Sequence, residues 1–430
     1  MKRLRLLFFL PLLALLPMTA HAQEFDDWFT DQTLRLDYTF SGTAAAQHIS
    51  LDGMSSLPHW YGKRQHLSEV PVRGYGQIVV RRADTDTVLY RQSFSTLFQE
   101  WLTYPDALTQ ARSFENVFLV PMPRVPVDVE VTLLSSRLEP IATATHRIDP
   151  SDILIRHKGM RPTPYVVLQQ PADTAHCIHL AYVAEGYRAE EMDSFLHYAR
   201  EANEAMFAHE PFRSLRDRFQ VVAVTSASAE SGPSEPANGI WHDTTLGSAF
   251  STFYIDRYLT TLNLKRLHDV LAGTPYEHII VLVNTEKYGG GGILNAYNLT
   301  STKHEWFKPV VVHEFGHSFA GLADEYGYDK EDIPMYPCDV EPWEPNITTL
   351  VDFKSKWEDM IPVSTPRPTP PTGDPETMTT RIGLFEGAGY KRKGVYRPVE
   401  NCRMRVNTVP DFCPVCQRSL RRVIDFYTAP

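Results

Sequence analysis

Residues 309–326 read PVVVHEFGHSFAGLADEY, and the two histidines in this run constrain the chain more than any other feature. His313 and His317 are four apart, so on a helix both imidazoles project from one face. Pro309 can open such a helix, where its missing N–H costs little. Val310, Val311 and Val312 make the helix a buried one. Two neutral imidazoles at this spacing can bind one Zn²⁺. Glu314, between them, is placed to act on a zinc-bound water rather than on the metal. A catalytic zinc takes three protein ligands and keeps one position open. Gly321 can end the helix in a left-handed turn and send the chain back toward the metal. Asp324 follows three residues later and is the candidate third ligand, with Glu325 next and Glu331 or Asp332 behind it.

The rest of the chain has two textures. Leu34-Arg35-Leu36-Asp37-Tyr38 alternates with period two, and residues 77–82 and 87–93 flank Ala83-Asp84-Thr85-Asp86 as a hairpin. Residues 127–134 and 141–148 are two more candidate strands. An antiparallel β-sandwich over residues 23–155 is therefore expected. It carries no cluster of catalytic residue types, so its expected role is structural, as a spacer or docking module. Residues 177–183, 219–224 and 278–283 read as buried strands, and 188–208 as a helix rich in Ala, Glu and Met. That alternation predicts an α/β domain over residues 156–430. Six prolines within residues 362–375 mark an extended loop inserted in it.

The chain begins MKRLRLLFFLPLLALLPMTAHA. A basic start, an apolar run over residues 6–16 and the small-residue end Ala20-His21-Ala22 form a secretory signal peptide over residues 1–22. The apolar run is short for a bilayer span. The 430 residues include 42 Lys or Arg against 52 Asp or Glu, a net charge of −10; without the leader, 408 residues at −13 remain. So acidic a chain is a poor partner for nucleic acid. The expected protein is exported, periplasmic or secreted, with no integral membrane segment after cleavage. Export gives the five cysteines an oxidising setting. Cys177 reads as a buried core thiol. Cys338, Cys402, Cys413 and Cys416 are expected to form disulfides, in any of three pairings. Cys413 and Cys416 also have the spacing of a redox dithiol, or of half a structural zinc site completed by Cys338 and Cys402.

HEFGHSFAGLADEY resembles the zinc motif of the IgA peptidase family, a metzincin-like branch of the metallopeptidases. The ordinary metzincin pattern is HExxHxxGxxH. Here the spacer before the glycine is one residue longer, and Asp324 stands where a third His is usual; HExxHxxxGLxDEY is the form expected of the IgA peptidase branch. The resemblance implies His313, His317 and Asp324 as ligands of one catalytic Zn²⁺ and Glu314 as catalytic base. Glu400-Asn401-Cys402-Arg403-Met404-Arg405 is similar to that family's Met-turn segment, with Met404 as the Met-turn residue. Residues 383–390 (GLFEGAGY) and 394–398 (GVYRP) are similar as well. The implied fold is α+β and multidomain: an antiparallel β-sandwich, then a metzincin-like α/β zinc peptidase domain. The implied activity is that of a metalloendopeptidase acting on protein or peptide.

Other features leave alternatives open. Gly289-Gly290-Gly291-Gly292 is either a flexible turn or a bare strand edge on which a peptide can lie. Tyr326, Tyr390 and Tyr396 are candidate oxyanion donors. A gluzincin-type aminopeptidase would take its third ligand from a Glu on a later helix, and the Gly-then-Asp spacing opposes this. A zinc-bearing adhesin without turnover would have no use for Glu314. Oligomeric state and substrate sequence are not encoded in any motif.

Overall fold

The computed structural model describes residues 25–174, 176–327 and 335–428. The expected leader at residues 1–22, Glu331 and Asp332 lie outside them. A short helix α1 (Phe25–Trp28) leads into strands β1 (Phe29–Gly42), β2 (Gln47–Leu57), β3 (Gly76–Arg82) and β4 (Val88–Phe94). Helix α2 (Leu97–Trp101) and strands β5 (Arg112–Pro123), β6 (Val127–Leu134), β7 (Pro140–Ile148) and β8 (Arg156–His157) follow. They form two four-stranded sheets, ordered β5-β1-β2-β8 and β4-β3-β6-β7. All pairings are antiparallel except the two-residue β2–β8 contact. Leu34, Leu36, Tyr38 and Phe40 of β1 face Val127, Val129, Val131 and Leu133 of β6 in one core. The expected hairpin is β3–β4.

The alternation of β1 has a second outcome. Arg35, on the face opposite Leu34 and Leu36, is fully buried too. That face packs against the C-terminal half. Arg35 makes ion pairs with Asp37 at 2.6 Å and Asp269 at 2.5 Å, and donates to the Lys265 carbonyl at 2.9 Å. Lys265 in turn reaches Asp52 at 2.6 Å.

The C-terminal half is built on β9 (Tyr165–Gln169), β10 (Ile178–Glu185), β11 (Phe219–Val224), β12 (His278–Val283), β13 (Gly290–Ile293) and β14 (Tyr297–Ser301). Their order is β13-β14-β12-β10-β11-β9. The four inner strands are parallel and the two edges antiparallel. Strands β10 and β12 are buried along their whole length, as a parallel sheet covered on both faces requires. Ile178, Leu180 and Tyr182 point toward helices α3 (Met192–Met206), α5 (Phe307–Ala320) and α6 (Pro414–Thr428). Ala181 and Val183 point the other way, toward α4 (Leu264–Leu271) and the core shared with the sandwich. A hairpin, β15 (Phe385–Ala388) and β16 (Lys391–Arg397), lies apart from this sheet. Residues 362–375 contain neither helix nor strand. No helix among the described residues is long and apolar enough to cross a membrane.

One apolar core thus runs from the sandwich into one face of the parallel sheet, with Arg35 at its margin. Arg35→Ala should lower the stability of the whole chain by about 2–3 kcal/mol. This is less than the roughly 3–5 kcal/mol of breaking a fully buried pair, because Asp269 is half-exposed. A shifted urea midpoint checks it, and an unchanged midpoint would show that the two halves are not coupled there.

Candidate metal centre

Helix α5 positions the site. Its apolar residues Val311, Val312, Phe315 and Phe319 fix one face in the core beside the sheet, which leaves His313 and His317 facing the cleft. Gly321 ends the helix at φ 60°, a left-handed geometry that glycine adopts without strain. Its N–H donates to the His317 carbonyl at 3.0 Å, and that of Leu322 to the Gly316 carbonyl at 3.1 Å. The chain then turns back and brings Asp324 against the imidazoles.

The three side chains converge. His313 Nε2 and His317 Nε2 are 3.0 Å apart, and Asp324 Oδ1 lies 3.1 and 3.5 Å from them. His313 Nδ1 sits 2.9 Å from the Arg403 carbonyl oxygen, and His317 Nδ1 2.5 Å from that of Leu322. A carbonyl accepts only, so both Nδ1 atoms carry the proton and both Nε2 lone pairs aim at one point. Two lone pairs and a buried carboxylate oxygen aimed at one another call for a cation between them. The donor set of two imidazoles and one carboxylate suits Zn²⁺. Among the described residues no Glu from a later helix joins these imidazoles, and α6 contains none.

The surroundings hold this group in place. Met404 is fully buried, and its sulfur lies where a side chain at Gly316 would sit, under α5. Its neighbour Arg403 supplies the carbonyl that orients His313. The β15–β16 turn holds the ligand loop: the Gly389 N–H donates to the Asp324 carbonyl at 2.9 Å, and that of Tyr390 to the Tyr326 carbonyl at 2.9 Å. The Tyr390 hydroxyl donates to Asp324 Oδ2. Tyr326 stacks edge-on against Tyr390 and lines the cleft, whereas Tyr396 does not.

The electrostatics follow from burial and proximity. Burial raises the carboxyl of Glu314 above its ordinary range. Burial also opposes ionisation of Asp324, but the two histidines outweigh it and hold that carboxyl far below its usual value. For His317 burial acts downward, and the Asp324 carboxylate reverses this, lifting it to about 9. Without metal, His317 therefore takes its second proton, on Nε2, below about pH 9, facing the Asp324 carboxylate.

The site lies in a cleft of about 840 Å³. One wall is strand β13, whose outer edge carries one isolated bridge among the described residues, Tyr258 with Gly290. The glycines are a strand and not a flexible turn, and sterics explain them. A Cβ at Gly290 would lie 2.7 Å from Glu314 Oε1, and one at Gly292 would lie 2.4 Å from the Glu314 carbonyl oxygen and 2.9 Å from His317 Cβ. The other wall includes Thr96, Glu100 and Tyr104 of the N-terminal sandwich. That half is thus part of the cleft and more than a spacer. Tyr258 donates to Glu100 at 2.6 Å, and burial raises the Glu100 carboxyl to about 7. Tyr336 donates to Glu344 at 3.0 Å in the same wall. No sequence signal marks Glu100 or Glu344. Residues 362–375 are absent from the lining.

Two expectations need correction. Glu325 turns away from the imidazoles and bonds Asn346 and Cys416. The cysteines form no disulfide: all five are free. Cys402 and Cys416 sulfurs stand 3.8 Å apart, far beyond a bond of about 2.05 Å. Cys338 is exposed and lies near Gly394, remote from the other three. Cys177 is the buried thiol expected of it.

Comparison with known families decides the relationship. The IgA Peptidase M64 family matches residues 166–378 and 374–424, and the Peptidase M64 N-terminus family matches residues 24–141. The chain belongs to the IgA peptidase M64 family. No curated protein matches it closely enough to report. As an M64 peptidase it is a metallopeptidase with a protein substrate, and the histidine pair with Asp324 is the group in its cleft that can hold the metal.

Two measurements test this construction. Gly292→Ala should force β13 away from α5 and lower both metal occupancy of the cleft and hydrolysis at least about tenfold, read by metal analysis and peptide cleavage. Refilling the cleft site alone at pH 7 should release about one proton, from His317, and this release should vanish above about pH 9. Affinity therefore rises with pH and levels off there. Calorimetry in buffers of different ionisation enthalpy counts the proton, and a pH-independent uptake would contradict the assignment.

Proposed function

We propose that the chain is an exported, zinc-dependent endopeptidase in which His313, His317 and Asp324 hold the metal and Glu314 is the general base. The observation that carries this reading is the convergence of both Nε2 lone pairs and Asp324 Oδ1 at the floor of a cleft, with Glu314 beside them. Zn²⁺ bound there would acidify a water and polarise the scissile carbonyl. An Asp ligand brings a negative charge that a third imidazole would not, which tempers that Lewis acidity.

The chain's own residues supply the rest. Glu314 accepts a proton from the attacking water and delivers it to the leaving amine nitrogen. Its raised pKa suits a group that must hold a proton between the two events. Tyr390 donates to Asp324 and fixes which carboxylate oxygen faces the imidazoles. The Arg403 carbonyl holds His313 from below, and Met404 supports α5 at Gly316. A substrate in extended form can add to the edge of β13 beyond the Tyr258 bridge, pairing with its backbone groups. A cleft of about 840 Å³ lies in the upper range for binding pockets and can take several residues of peptide, which favours cleavage within a chain.

Glu314→Gln should keep its metal and lose about 10²–10⁴-fold in turnover. His313→Ala should lose both the cleft metal and turnover. Cleavage of a denatured protein mixture, with and without chelator, measures this, and the positions of the cuts separate endo- from exopeptidase action. Retained activity in Glu314→Gln would remove the mechanism. Export is supported by the N-terminal pattern, and the mature protein should begin at Gln23 on N-terminal sequencing from the producing cells.

A further inference from the structure

Beneath the Asp324 loop lies a second group of metal-ligating side chains that the cleft does not use. Glu325, Cys402, Cys413 and Cys416 each offer one ligand atom, and these atoms all lie within 4.8 Å of one another. Each of the four residues is 0% exposed. They come from three places: the ligand loop after α5, the segment carrying Met404, and the entry to α6. Glu325 Oε1 accepts from Asn346 Nδ2 at 2.9 Å and from Cys416 Sγ at 3.2 Å, while Oε2 has no hydrogen-bond partner. We propose that Glu325, Cys402, Cys413 and Cys416 form a closed, four-coordinate structural zinc site, separate from the site in the cleft.

Geometry, chemistry and charge agree on this assignment. Tetrahedral zinc with Zn–S bonds of about 2.3 Å separates its sulfurs by about 3.8 Å, and Cys402 and Cys416 are 3.8 Å apart. A disulfide that used Cys416 would remove its hydrogen bond to Glu325 and leave that buried carboxylate with one partner fewer, a costly arrangement. Three thiolates and one carboxylate are a donor set that zinc accepts. Such a set around a dication keeps two negative charges. Arg397 and Arg403, both buried, and Arg405 stand within electrostatic reach of Glu325 or Cys402 and offset them. Three neutral thiols would give these arginines much less to balance. Four protein ligands with no access from the cleft leave no open position, so the site is structural and not catalytic.

Its placement gives it a task. The Glu325 N–H donates to the Met404 carbonyl at 2.8 Å. Asp324 precedes Glu325, and Arg403, whose carbonyl orients His313, follows Cys402. One ion at this point would tie the third ligand, the Met404 segment and α6 together.

Metal analysis of the purified full-length protein tests the proposal. The wild type should hold two zinc ions per chain, and a His313→Ala/His317→Ala variant should keep one. With cobalt(II) in place of zinc, that variant should retain a thiolate-to-cobalt charge-transfer absorption in the near ultraviolet, since only the second site contains sulfur. Cys413→Ser/Cys416→Ser should lose that absorption; if this variant fails to fold, the wild type and the histidine variant still carry the test. The proposal is overturned by a single zinc that disappears with the histidines, by cobalt spectra without the thiolate band, or by non-reducing peptide maps that link any two of Cys402, Cys413 and Cys416. An inactive protein that still holds one thiolate-bound metal would sink the catalytic reading and leave this one standing.

Discussion

The cleft depends on helix α5 ending at Gly321. The helix is long enough to carry two imidazoles on one face, and its last carbonyls are closed by the N–H groups of Gly321 and Leu322. A left-handed residue at that point reverses the chain within three residues. Without the reversal Asp324 would continue away from the helix axis, and two histidines alone would face the cleft. The same reversal sends adjacent carboxylates in opposite directions: Asp324 up to the imidazoles, Glu325 down to the cysteines. Neighbouring residues in an extended segment point to opposite sides, so a single turn serves two groups of ligands.

Support for this turn is distributed. The β15–β16 hairpin holds it from one side through Gly389 and Tyr390, and Asn346 holds it from another through both backbone groups of Ala323. Met404 and Arg403 close it from below. These contacts join parts of the chain far apart in sequence, and each is a backbone or fully buried bond. Such bonds are stiff, which a metal site needs if its ligands are to be in place before the ion arrives.

Much of this was legible in the sequence, and the omissions have physical causes. The i,i+4 histidines and Asp324 were readable because helical periodicity and a glycine stop are local rules. Strands 127–134, 219–224 and 278–283 were readable for the same reason, the first by its alternation of apolar and polar residues and the other two as short apolar runs. Glu100 was not, because its place in the cleft comes from docking of the sandwich against the parallel sheet, and no local pattern records docking. Arg35 was read as the polar side of an alternating strand; it is buried because a second domain covers that side. The cysteines were misread because export suggests pairing by redox setting alone. Their arrangement is set by where α6 begins relative to the ligand loop, and Glu325 takes the position that Cys338 was expected to fill.

Strand β13 has a consequence for substrate choice. Glycine was required there so that the strand could lie against α5, and three successive glycines leave the strand's edge to its own amide and carbonyl groups, apart from Tyr258. Such an edge can recognise an extended backbone but cannot distinguish one sequence from another. Any discrimination among proteins must then reside in the facing wall, which the sandwich helps to build. The two halves of the chain would in that case divide the work between reaction and choice, and changes in the first 155 residues could redirect the peptidase while every ligand of its metal stays in place.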